Sequence, residues 1–116
     1  MARRLEDGET IPLGDSQLSV LRTPGHSHDM VTFLFETPDG LLAFPGDTVF
    51  HNGRVLMSAT WDCQPLACAT SIRKLALPDI DGLYPGHSIW SVRDGAEQVR
   101  LCLPFLDRLL MPPNLF

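Results

Sequence analysis

The chain has 116 residues, enough for one domain or part of one, and its 44% apolar and 20% charged content excludes a disordered segment. A formal charge of −5 with only nine Lys and Arg argues against a broad basic surface, so no nucleic-acid partner is expected. The opening residues, Met1-Ala2-Arg3-Arg4-Leu5-Glu6-Asp7, lack the apolar stretch of a secretory signal, and no run approaches the ~20 apolar residues of a membrane span. A soluble, cytoplasmic protein with no membrane partner is the expectation. Cys63, Cys68 and Cys102 lack the paired spacing of a zinc knuckle and read as reduced, buried or half-buried thiols.

In chain order, residues 18–23 alternate apolar and polar and predict a strand. Residues 31–37 and 41–44 predict two more, joined by the turn Pro38-Asp39-Gly40. Asn52-Gly53 is a further turn before a short strand at 54–57. Residues 66–77 carry Leu66, Ala69, Ile72, Leu75 and Ala76 at near-helical spacing, and Pro78 stops that helix. Asp81-Gly82 turns the chain into a strand at 83–84. A last helix is expected from about 93 to 110, packing through Leu101, Phe105, Leu106, Leu109 and Leu110, with Pro104 bending it. This order predicts an α+β fold: one mostly antiparallel sheet with two helices on one face. The other face, to which Leu34 with Leu41 or Ala43 would add apolar surface, then needs a partner layer.

The tripeptide Pro-Gly-His occurs twice, at 24–26 and 85–87, where chance placement of these residue types would supply about 0.03 copies. Each copy sets a His after a turn stiffened by Pro and loosened by Gly. Between them Gly46-Asp47 also follows a strand. His26, Asp47 and His87 are 21 and 40 residues apart, too far for a local zinc finger, so any convergence must come from the sheet. Two neutral imidazoles and a carboxylate suit zinc, and equally admit iron or manganese. A cation so held would polarise a substrate oxygen and lower the pKa of a bound water towards ~7.

Thr23-Pro24-Gly25-His26-Ser27, Gly46-Asp47-Thr48-Val49-Phe50 and Leu83-Tyr84-Pro85-Gly86-His87, in this order, resemble the C-terminal half of the metallo-β-lactamase-fold hydrolases. The resemblance covers roughly residues 15–110 of a single partial domain, 1–116. It implies part of a four-layer αββα sandwich and a binuclear metal centre, with zinc the leading cation. Within that centre, His26 would complete the first metal site, Asp47 would bridge both metals and His87 would serve the second. The family includes β-lactamases, thioesterases such as glyoxalase II, lactonases, nucleases and sulfur dioxygenases. The resemblance therefore implies attack by metal-bound hydroxide on an ester, thioester, amide or phosphodiester bond of a small-molecule substrate.

The family's His-x-His-x-Asp-His motif, which supplies the other ligands, is absent from residues 1–116. The chain by itself is therefore expected to hold metal weakly and to hydrolyse poorly. Its missing half would also have supplied the second sheet, leaving the partner layer to self-association or to that half. Two other readings remain: a non-catalytic remnant acting as an oligomerisation or interaction module, and one half of a split enzyme. Around the three ligands, His28, His51, Arg54, Trp61 and Tyr84 are the candidates for substrate contact or for support of the ligands. Against that stand an exposed loop His for His28 and His51, a surface charge for Arg54, packing under a loop for Trp61 and a core ring for Tyr84.

Overall fold

The computed structural model describes residues 5–57 and 63–115. Its elements are β1 (Thr10–Leu13), β2 (Ser16–Arg22), β3 (Val31–Thr37), β4 (Gly40–Phe44), α1 (Pro65–Leu75), β5 (Gly82–Leu83), α2 (Gly95–Arg100) and α3 (Leu103–Asp107). The five strands form one sheet in the order β1-β2-β3-β4-β5. All neighbours are antiparallel except β4 and β5, which pair in parallel through Leu42↔Gly82 and Ala43↔Leu83.

β1 was not expected from the pattern. Pro12 within it cannot donate to a ladder, which confines such a strand to a sheet edge, and β1 is at that edge. Its signal was the two-residue turn Gly14-Asp15, in which Gly14 takes φ +61° and brings Leu13 opposite Ser16. The 54–57 strand reduces to isolated bridges, Phe50↔Arg54 and Val55↔Asn114.

The helices cover one face of the sheet. α1 starts on Pro65, whose missing N–H costs nothing in the first turn, and buries Cys68, Ser71, Ile72 and Leu75 at helical spacing. These pack with Ala43, Leu83, Val99, Cys102 and Leu106 into the core, against which Leu21, Leu34 and Leu41 also lie. The sequence placed Leu34, Leu41 and Ala43 on the uncovered face; the structure puts them under the helices. The uncovered face instead carries Leu18, Phe33 and Phe35, with Leu18 opposite Phe35 and Phe33 opposite Phe44.

The long last helix is two short ones. Pro104 has no N–H for the Arg100 carbonyl and its ring crowds that turn, so α2 ends at Arg100 and α3 restarts at Leu103. The buried stripe across both helices is Ala96, Val99, Cys102 and Leu106, at helical spacing. Val99 and Cys102 enter the core, whereas of the five residues expected to pack only Leu106 is buried; Leu109 is 95% exposed. Among the described residues no helix is long and apolar enough to cross a membrane.

Candidate metal centre

Because β2 and β4 are each antiparallel to β3, and β5 is parallel to β4, the strands β2, β4 and β5 point the same way. His26, Asp47 and His87 each follow the C-terminal end of one of these strands, so all three lie on one rim of the sheet. His87 Nδ1 is 2.7 Å from Asp47 Oδ1, and His26 Nε2 is 3.6 Å from Asp47 Oδ2. The carboxylate thus turns one oxygen towards each imidazole.

Several contacts fix this arrangement. His26 Nδ1 is 2.7 Å from the Leu56 carbonyl oxygen. A carbonyl can only accept, so Nδ1 carries a proton, and Nε2 is the nitrogen turned towards Asp47. Buried Thr23, Thr32 and Thr48 join their hydroxyls, Thr23 to Thr32 at 2.9 Å and Thr48 to Thr23 at 3.2 Å. That cluster ties the end of β2 to the loop after β4, the two segments that carry His26 and Asp47. Ser71 Oγ donates to the Pro24 carbonyl at 2.7 Å, and the Gln64 N–H donates to the Gly25 carbonyl at 2.6 Å, docking the first Pro-Gly-His on α1. The sequence reading passed over these threonines and Ser71. Thr32 carried the usable signal, a polar residue at a core-facing position of a strand.

The glycines permit close approach. Gly25 has φ +148°, and a Cβ there would run into the Cys68 backbone. Gly86 lets Asp47 approach, since a Cβ would lie 2.8 Å from Asp47 Oδ1.

The donor set fits a metal in part. The 3.6 Å gap between His26 Nε2 and Asp47 Oδ2 is too long for a hydrogen bond. It is close to the roughly 3.4 Å that separates two ligands each ~2.1 Å from one tetrahedral ion. On the other side, Asp47 and His87 meet through a direct hydrogen bond. Among the described residues no three His, Cys, Asp or Glu side chains form a metal-holding group. Asp47 stands between the imidazoles, so this rim offers two pairs sharing a carboxylate.

The other candidates are scattered. His28 is exposed, with Nε2 3.5 Å from Gln64 Nε2. His51 Nδ1 is 2.8 Å from Ser91 Oγ. Arg54 is exposed and donates to the Asn114 carbonyl at 3.1 Å. Tyr84 stacks on Phe44 with ring centroids 5.5 Å apart and meets Trp90 edge-on, on the uncovered face. Trp61 lies outside the described residues.

No family model matches the sequence. Among solved structures, the BLEG-1 B3 metallo-β-lactamase superposes with a TM-score of 0.70 at 24% identity, over 88% of this chain and 47% of that one. The protein TTHA1623, solved in a di-iron-bound form, gives a TM-score of 0.61 at 30% identity, over 78% of this chain and 42% of that one. A hydroxyacylglutathione hydrolase of Mesorhizobium japonicum is 36% identical over 84 residues, 72% of this chain and 31% of the relative. This chain is the C-terminal part of a metallo-β-lactamase fold of the glyoxalase II-like superfamily. It spans about a third of the length of the curated relatives it matches. The α+β architecture read from the sequence matches that fold, and the family is metal-dependent.

Proposed function

We propose that this chain supplies the C-terminal ligands of a metal-dependent thioester hydrolase. His26 and Asp47 would hold one cation, Asp47 and His87 a second. The observation that carries this reading is the Asp47 carboxylate, which turns one oxygen to each of two imidazoles. Zinc suits the donor set best, with iron or manganese compatible. A bound cation would supply Lewis acidity, polarising a carbonyl oxygen and bringing the pKa of water down to ~7. The Leu56 carbonyl orients His26 and fixes its tautomer, a supporting contact of the kind that strengthens a ligand. Thioesters are the substrate class because relatives at 31–40% identity are named hydroxyacylglutathione hydrolases. Three cysteines without a disulfide suit a reducing, cytoplasmic setting.

Hydrolytic zinc sites use three protein ligands and an open position, and here each cation would have two. Completion therefore needs ligands beyond these three. Calorimetric titration of the chain with zinc tests the assignment. Asp47→Ala should weaken binding most, by more than about tenfold at both positions, because it removes a ligand from each. His26→Ala and His87→Ala should each affect one. Zinc affinity and hydrolysis of an S-(2-hydroxyacyl)glutathione that both ignore Asp47→Ala would overturn the reading.

A further inference from the structure

The segment whose carbonyl holds His26 is itself held, by residues 113–115. Val55 is tied through both of its backbone groups: its N–H donates to the Pro113 carbonyl at 3.0 Å, and its carbonyl accepts from the Leu115 N–H at 2.7 Å. Asn114, between those two residues, holds both backbone groups of Met57 with its side-chain amide. Oδ1 accepts from the Met57 N–H at 3.1 Å, and Nδ2 donates to the Met57 carbonyl at 3.2 Å. Leu56 stands between Val55 and Met57, and its carbonyl oxygen is the one 2.7 Å from His26 Nδ1.

The peptide unit from Leu56 to Met57 joins these contacts. A trans peptide is planar, with its C=O and N–H pointing in opposite directions. Asn114 Oδ1 receives the N–H of that unit and His26 Nδ1 meets its C=O, so one plane serves both. We propose that Asn114 is a positioning residue of the rim. It sets the rotation of the Leu56–Met57 peptide, and through that peptide the tautomer and tilt of the His26 ring.

The contacts favour orientation over plain cohesion. Asn114 is exposed, so water competes for its amide and its bonds add little net stability. The backbone bridge of Val55 with Asn114 needs no side chain from residue 114, and Arg54 adds a bond to the Asn114 carbonyl at 3.1 Å. What the amide alone does is hold Met57, for which it has the one acceptor and the one donor required. The effect on metal binding rests on the ligand assignment proposed above; the control of the His26 ring does not.

Nitrogen–proton NMR spectra of the imidazoles in the metal-free chain test that control, at about pH 8.5, where an ordinary imidazole is neutral. The parent should show His26 with its proton on Nδ1 and Nε2 bare. Asn114→Ala should move both His26 nitrogens towards the averaged values of a ring with no fixed tautomer, with a urea midpoint near the parent's. Ile80→Ala should do the reverse. Ile80 is buried and precedes β5, at the end of the sheet away from the rim, so a cavity there lowers the midpoint while His26 keeps its pattern. Circular dichroism checks folding, and Asn114→Leu, which also removes both polar contacts, replaces Asn114→Ala if that variant does not fold. A His26 pattern unmoved in a folded Asn114 variant, or moved as far by Ile80→Ala, would overturn the proposal. Zinc titration then reads the consequence. Asn114→Ala should weaken binding about tenfold in the parent and add nothing in a His26→Ala background. An equal loss in both backgrounds rejects the route through His26. A chain whose His26 spectra follow Asn114 but which binds no zinc sinks the ligand assignment and leaves the positioning role standing.

Discussion

The glycines of the two Pro-Gly-His copies answer different demands. Gly25 adopts a left-handed backbone angle and lies against the α1 backbone, so Gly25→Ala is strained twice. It should destabilise the fold by about 1–3 kcal/mol or more, read by urea unfolding. Gly86 is exposed, and its Cβ would meet a carboxylate oxygen, the movable end of a side chain. Gly86→Ala should leave stability within about 0.5 kcal/mol while displacing Asp47, a shift that zinc titration would detect. The threonine cluster acts behind them. Thr23→Val removes the central hydroxyl and leaves Thr32 and Thr48 buried without that partner, a loss of about 1–3 kcal/mol in the same unfolding assay.

At the level of elements, strands with strong alternation were legible and the last helix was not. Residues 31–37 emerge as β3 and α1 falls within two residues of the expected helix, because β-branched and aromatic alternation or a clean helical stripe set them locally. The C-terminal leucines misled because the larger apolar side chains lie on an exposed face, beside the smaller stripe of Ala96, Val99, Cys102 and Leu106 that is buried. Cys102 belongs to that stripe, and its thiol donates to the Gly53 carbonyl at 3.3 Å. Burial pushes the Cys68 thiol up to about 11 and the Cys102 thiol up to about 12, each helped by a neighbouring cysteine. A thiol-specific reagent at pH 8 should therefore label Cys63, which is half-buried, and reach Cys68 and Cys102 only after denaturation. Mass spectrometry of labelled peptides reads the difference.

For the whole molecule, the sequence pointed to an apolar face opposite the helices but misassigned which residues form it. Phe33 and Phe35 are the stronger apolar set, and only the position of α1 tells which side of a two-sided strand is covered. The rim was legible in outline because three turn motifs each end a strand, although the order of the strands could not be read from them. Asp7 pins the segment before β1 to α1. It accepts from the Arg22 N–H at 2.8 Å and pairs with Lys74, and the Arg22 N–H chiefly, then the Lys74 ammonium, hold its carboxyl below the ordinary range. A depressed carboxyl stabilises the fold at pH values above its unfolded pKa of ~3.9, and that contribution disappears as the pH falls through the lower folded value. Asp7→Asn should thus cost up to about 1 kcal/mol at pH 7, a difference from the parent that closes below about pH 4 in parallel urea titrations.

The parallel pairing of β4 with β5 also orders the assembly of the rim. His26 and Asp47 are brought together by a meander in which successive strands are spatial neighbours, whereas His87 arrives only when two registered pairs close an excursion of 40 residues. Closure of so wide a loop loses entropy that the packing of α1 must offset. A cation that depends on His87 would accordingly be captured after the interior has condensed, so its retention would report a finished molecule and never a half-folded hairpin.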